Sequence, residues 1–187
     1  MSVKLTILTE NVAGGRLLAE HGLSYLVETN SKTVLFDTGH SDTFLKNGDC
    51  LDINIEKSVD TIVLSHGHWD HGDGLVFLEG QELITHPKSF IKRYRKADHS
   101  YIGLSLSQDE VENQFKLRIF SQPIFITDEI IYLGEIPRQN SFEAQTTTFI
   151  DENGNPDFVP DDSALAIINN NKLVIISGCA HAGICNT

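Results

Sequence analysis

The chain has 187 residues, 40% of them hydrophobic, and carries 14 Lys plus Arg against 26 Asp plus Glu. That length fits about one domain with a real core, and the net charge of -12 argues against a general binder of nucleic acid or acidic membranes. No stretch reads as a signal peptide or a membrane span, and the widely spread Cys50, Cys179 and Cys185 fit a reducing cytoplasm better than a disulfide scaffold.

Residues 3–8 alternate apolar and polar side chains and predict a first strand. Residues 23–28 and 33–36 predict a second and a third, joined by a turn at 29–32. The third ends in Asp37-Thr38-Gly39, an acid followed by a flexible residue. A short helix capped by Ser41 is expected over 41–46, a buried strand over 61–64 and a short helix over 75–78. Residues 83–85 predict a strand, and Pro87 is placed to open a helix at its first position. Residues 103–117 show no readable period. Strands are expected at 124–126 and 130–133, one longer strand over 142–150 and an exposed turn over 151–156. A hairpin follows, 164–168 and 172–176 around Asn169-Asn170-Asn171, and it runs into Ser177-Gly178-Cys179-Ala180-His181. No internal repeat or low-complexity linker is visible.

The run His66-Gly67-His68-Trp69-Asp70-His71 carries the chemistry. Neutral imidazoles and an ionised carboxylate bind divalent metals. In extended chain, residues i and i+2 share a side, so His66 and His68 are able to grip one ion. Asp70 and His71 fall where the chain turns into a helix, and they point toward a second ion. The bland alternative is a solvated, His-rich turn. Four ligand-type residues in six positions after a buried strand weigh against it. Three buried strands thus end in ligand-bearing loops, at Asp37, at 66–71 and at Cys179/His181, which is where layered folds gather functional groups.

"LSHGHWDHGDGL" and "LFDTG" resemble the H-x-H-x-D-H signature and the Asp-bearing strand end of the metallo-β-lactamase superfamily. "EHGLSYLVET", "GEIPR", "DDSALAI" and "ISGCAHAGICN" are similar to its 7,8-dihydropterin-6-methyl-4-(ribofuranosyl)aminobenzene-5'-phosphate synthase-like branch, along nearly the whole chain. The resemblance implies an α/β fold, an αβ/βα sandwich with a one- or two-metal site at one edge. It implies His66 and His68 on a first metal, Asp70 and His71 on a second, His181 as a further ligand, and Asp37 as the hydrogen-bond partner that orients them. Two departures accompany it. Cys179 stands near the place of a bridging Asp, and a later His ligand is not reached before Thr187. The expectation is therefore a single domain over 1–187 that lacks its last C-terminal elements.

Other residues carry paired readings. Cys179 is either a ligand or, as free cysteines often are, a buried thiol. His86 reads as structural, His21 as a residue able to face the site, and His40 and His99 as exposed. Lys88, Lys92, Arg93, Arg95 and Lys96 form either an anion-capturing patch or a solvated helix face. From these, Arg93 and Lys88, together with Arg138 after Pro137, are the expected substrate contacts. Gly14-Gly15 lacks the Lys-Ser/Thr of a phosphate loop.

These readings predict a metal-dependent hydrolase for a small, anionic, phosphorylated substrate. Asp70 serves both as ligand and as proton shuttle. Zinc suits the donor set, and iron or manganese fits it as well. The alternatives are a transferase of the pterin-related branch and a non-catalytic metal-binding domain. Oligomeric state is not legible.

Overall fold

The computed structural model describes residues 2–187. Strands β1 (Lys4–Thr9), β2 (Ser24–Glu28) and β3 (Thr33–Phe36) form an antiparallel meander, with Lys4 opposite Glu28 and Tyr25 opposite Phe36. β4 (Thr61–Val63) and β5 (Glu82–Thr85) then add in parallel, Val34 facing Thr61 and Ile62 facing Leu83. β6 (Arg93–Arg95) leaves this sheet, and β7 (Lys116–Ile119) returns to its edge, giving the order β1-β2-β3-β4-β5-β7. The inner strands β3, β4 and β5 are nearly continuous apolar runs because both faces are covered.

One face packs on helices. α1 (Thr43–Cys50) and α2 (Ile55–Ser58) supply Phe44 and Ile55 against Leu35, Ile62 and Leu83. The other face packs on a second, antiparallel sheet of β8 (Ile124–Phe125), β9 (Ile130–Tyr132), β12 (Ala164–Asn169) and β13 (Lys172–Ser177). There Val27, Phe36, Val63 and Ile84 meet Tyr132, Leu165, Ile167 and Ile176. Each such side chain taken fully out of water contributes about 1.5–3 kcal/mol. A third small sheet joins β6, β10 (Phe149–Asp151) and β11 (Pro156–Asp157), with Phe149 opposite Arg95. The result is the expected α/β sandwich of two facing sheets. The outer face of the smaller sheet shows Phe125, Ile168, Leu173 and Ile175 to solvent.

Several local expectations change. Pro87 opens only a 3-10 turn, Pro87–Phe90, and the basic run continues as strand β6 rather than as a helix face. Its pairing partner, β10, lies more than 50 residues downstream, beyond the reach of a local pattern. The long strand expected over 142–150 shrinks to Phe149–Asp151, because Asn140 Oδ1 takes the amides of Phe142 and Glu143 and a ladder cannot form there. The unread segment 103–117 holds α4 (Gln108–Gln114), opened by a capping box between Ser107 and Glu110. The first helix runs Thr43–Cys50 with Asp42 rather than Ser41 at its N-cap; Ser41, one residue earlier, donates its hydroxyl to Glu20 and accepts from the Thr43 amide.

Candidate metal centre

β3, β4 and β13 all end at one edge of the sandwich, and the candidate residues converge there. Asp37 follows β3 with φ 59°, a left-handed conformation that Asp tolerates better than most residues. Its Oδ1 accepts from the Ser65 amide at 2.7 Å. Its Oδ2 accepts from Ser65 Oγ and His71 Nδ1, each at 2.7 Å.

β4 delivers the histidine run. His66, His68 and His71 are all buried, at 0%, 5% and 2% exposure, which excludes the solvated turn as their explanation. Gly67 lets the loop lie flat on the neighbouring chain, because a Cβ there would stand 1.8 Å from Ser89 O. Its amide donates to Asp161 Oδ2 at 2.7 Å. The short helix α3 (Trp69–Gly72) then turns Asp70 and His71 toward the same space.

β13 closes the site. A Cβ on Gly178 would meet Ser65 Oγ at 2.3 Å, so only glycine lets this strand end approach so closely. Cys179 follows, its Sγ 3.0 Å from His71 Nε2. Asp162, just before β12, accepts from the Ala182 amide at 2.7 Å and thereby holds the loop that carries His181.

The four rings form one cluster. Centroids lie 4.5 Å apart for His66 and His68, 4.3 Å for His66 and His71, and 4.8 Å for His66 and His181. Hydrogen-bond logic assigns the tautomer of His66. The Ser65 hydroxyl donates to Asp37, so the His66 Nδ1–H must donate to Ser65 Oγ at 2.8 Å, leaving Nε2 with a free lone pair. That Nε2 faces His68 Nδ1 at 3.0 Å. Ligand atoms of His66, Cys179 and His181 lie within 4.8 Å of one another. The buried His68 Nε2 and the His181 Nε2 have no hydrogen-bond partner among the described residues.

Electrostatics favour neutral rings. Burial first, then the charges of neighbouring rings, holds His66 well below the usual imidazole range. Burial and His181 do the same to His68. Burial pushes His181 down to about 4. His71 moves the other way, since burial is overcome by the Asp37 carboxylate. Asp162 is raised to about 6 by burial.

The cleft over these rings, about 200 Å³, is lined by His21, His68, Trp69, Asp70, Arg95, Ile102, Phe149, Cys179 and His181. Asp70 Oδ2 lies 3.3 Å from His21 Nε2 and 3.8 Å from His71 Nε2. The expected substrate contacts fall elsewhere. Arg93 is fully buried, bidentate on Asp161 at 2.7 and 3.0 Å and 3.0 Å from Asp157, so its charge is spent inside the protein. Lys88 is exposed outside the cleft lining, its main chain used by His86 and Arg93. Arg138 donates to the Phe158 carbonyl. Arg95, two residues beyond Arg93 on β6, is the cation that reaches the cleft. His86 is buried and accepts from the Lys88 amide, as a structural histidine would. His40 is exposed and packs edge-on against Trp69 at 4.5 Å.

The metallo-β-lactamase superfamily model matches residues 18–80. An uncharacterised protein of Methanocaldococcus jannaschii is 35% identical over 189 residues, covering 97% of this chain and 71% of the relative. The chain belongs to the metallo-β-lactamase superfamily. A second relative from that organism, named 7,8-dihydropterin-6-methyl-4-(beta-D-ribofuranosyl)-aminobenzene-5'-phosphate synthase, is 33% identical, covering 98% of this chain and 69% of its own length. Among solved structures, Tm1679, described as a metal-dependent hydrolase of the β-lactamase superfamily, is 30% identical with TM-score 0.86, covering 99% of this chain and 69% of that one. A quorum-quenching N-acyl homoserine lactone lactonase, 13% identical with TM-score 0.52 over 81% of this chain and 58% of its own, shares the fold alone. Members of this superfamily typically bind divalent metals. The residues here fit such an ion: neutral buried imidazoles, unpartnered ring nitrogens and a carboxylate at the rim.

Proposed function

We propose that this chain is a metal-dependent hydrolase acting on a small anionic substrate. The observation that carries this reading is the cluster of buried His66 and His68 with half-buried His181, whose rings their desolvation keeps neutral and therefore ready to bind metal. His71 and Asp70 flank it, and Asp37 stands behind. Divalent ions held there, zinc before iron or manganese, would supply Lewis acidity and bring the pKa of water toward neutrality.

The chain's own residues do the rest. Asp37 fixes His71 with Nδ1 as donor, so that Nε2 faces the cleft. Asp70 Oδ2, with His21 Nε2 3.3 Å away, is placed to take a proton and return it to a leaving group. Arg95 offers a positive charge in a molecule of net charge -12 and draws an anionic group over the rings. Phe149, 4.9 Å from His68 between ring centroids, keeps water off that side.

A synthase-type transferase is the second reading. It is favoured by the 33% identical relative, whose name includes a 5'-phosphate that the Arg95 side of the cleft would suit. Turnover assays on phosphoesters and lactones, with His68→Ala plus Asp70→Ala as control, test the first reading. Turnover in the wild type that disappears in the double variant together with bound metal supports hydrolysis. Turnover and metal that survive the double variant contradict it. Binding of phosphorylated pterin-like compounds without hydrolysis of any of the esters favours the transferase.

A further inference from the structure

A second hollow adjoins the histidine cleft at Trp69. It holds about 440 Å³, within the range of about 300–1,000 Å³ usual for small-molecule sites, and is lined by His40, Trp69, Asp73, Tyr101, Gly103 and Ser105. Trp69 lines both hollows, so the two share a wall. The segment carrying Tyr101 and Gly103 is tied to the histidine run, since Gly103 pairs with His68 and the Trp69 amide donates to the Ile102 carbonyl at 3.2 Å. The aromatic walls are fixed. His21 and His40 pack on Trp69 with ring centroids 5.5 and 4.5 Å away. The Tyr101 hydroxyl donates to the Leu104 carbonyl at 2.8 Å, and a Cβ on Gly103 would stand 2.6 Å from that hydroxyl, so only glycine leaves the ring its place. Tyr101 is nevertheless 46% exposed. One carboxylate lines the hollow with these rings. Asp73 Oδ1 accepts from the Ser105 amide at 2.7 Å, and no lysine or arginine pairs with Asp73 among the described residues. A carboxylate offers about four lone-pair sites, so acceptor capacity remains. An acyl chain would cover that carboxylate without giving it a donor, which is unfavourable. A planar ring carrying N–H groups stacks on the aromatic faces and supplies the donors as well.

We propose that this hollow is the subsite for the planar part of the substrate, and that it takes an amino-substituted nitrogen heterocycle whose amino group and adjacent ring N–H donate to Asp73 while the ring lies against Trp69 and Tyr101. Arg95, the cation lining the histidine cleft, then receives the anionic end. The substrate is thus a molecule with a donor-bearing ring at one end and a negative charge at the other. Asp73 sets specificity and touches no reacting atom. Assigning the ring to a substrate rests on reading the histidine cleft as the reaction site.

Trp69 is the chain's one tryptophan, so its fluorescence reports the hollow directly. The test titrates the full chain, metal-free and zinc-loaded, with isocytosine, whose amino group adjoins a ring N–H, and with uracil, the same ring with oxygen in place of that amino group. Isocytosine quenches Trp69 saturably, with the same affinity in both metal states. It binds at least about tenfold more tightly than uracil, which lacks one N–H for the charged acceptor. Asp73→Asn, whose amide oxygen still accepts from Ser105, erases that preference, and its melting temperature verifies its fold. No saturable quenching by isocytosine, equal affinity for the two rings, an undiminished preference in Asp73→Asn, or binding that appears only with zinc overturns the proposal. Zinc retained alongside any of these results leaves the metal centre standing. Selective quenching by isocytosine in a chain that retains no zinc overturns the metal reading and supports the ring-binding hollow alone.

Discussion

Asp37 Oδ2 lies 2.7 Å from His71 Nδ1, and this contact decides which nitrogen of His71 faces the cleft. The carboxylate also takes the Ser65 amide and hydroxyl, so one buried group orients two ligand-bearing segments at once. Asp37→Asn keeps the left-handed backbone but replaces one acceptor oxygen with a donor. The expected result is a folded protein whose metal affinity falls about 10–100-fold, the usual effect of losing a carboxylate behind a metal-binding His. Calorimetric zinc titration checks it, and an unchanged affinity contradicts the role.

Asp162 acts on His181 through the backbone, accepting from the Ala182 amide. Asp162→Ala frees that loop and weakens metal binding, whereas Asp162→Asn keeps an acceptor oxygen and holds affinity close to wild type. Equal loss in the two variants would mean that the charge matters rather than the clamp. A zinc titration of both variants separates these cases.

Arg93 is an architectural ion pair under the site. Its guanidinium is fully buried between Asp157 and Asp161, and Asp161 in turn holds the Gly67 amide between His66 and His68. Removing it strands two buried carboxylates, so Arg93→Met costs about 3–5 kcal/mol in urea unfolding. Arg93→Lys rescues little, since an ammonium cannot reproduce the bidentate fork. A loss below about 1 kcal/mol in Arg93→Met would show that the pair is not holding the loop.

The histidine run, Asp37 and His181 were legible because their signals are local: donors at fixed spacing, and each at the end of an apolar strand. The helix over Gln108–Gln114 also had a local signal, the Ser107–Glu110 capping box. Arg93 and Arg95 were not separable, because their roles depend on pairing β6 with β10, far along the chain. Basic composition places both on a patch, while the strand sends one to Asp161 and the other to the cleft. Cys179 was equally ambiguous. What brings its sulfur to His71 is the tight approach of Gly178 to Ser65, a tertiary contact with no sequence period. Asp161 and Asp162 stood in the Asp-Asp-Ser segment without a role until their backbone partners were seen.

Acid should act on the metal-free protein in a defined direction. His66, His68 and His181 have folded values below the ordinary imidazole value of about 6.5. Below that pH the unfolded chain takes up protons that these rings refuse, so stability present above about 6.5 is lost as pH falls, by up to about 1.4 kcal/mol per pH unit and group. Asp162, raised to about 6, works in the opposite sense below that pH, whereas the raised His71 changes little there, because its contribution is complete once pH falls below the unfolded value of about 6.5. The three lowered rings outweigh Asp162 and leave a net loss, and His181→Gln reduces the slope. Thermal melts of both proteins between pH 7 and 5 check this, and a wild-type melting temperature that rises toward pH 5 contradicts it.

The central claim is that this edge of the sandwich binds metal through its histidines, and metal content per chain tests it most directly. Elemental analysis after zinc loading and dialysis should give at least one equivalent for the wild type. His66→Ala plus His68→Ala should give far less. No retained zinc in the wild type, or equal zinc in both proteins, would contradict the account.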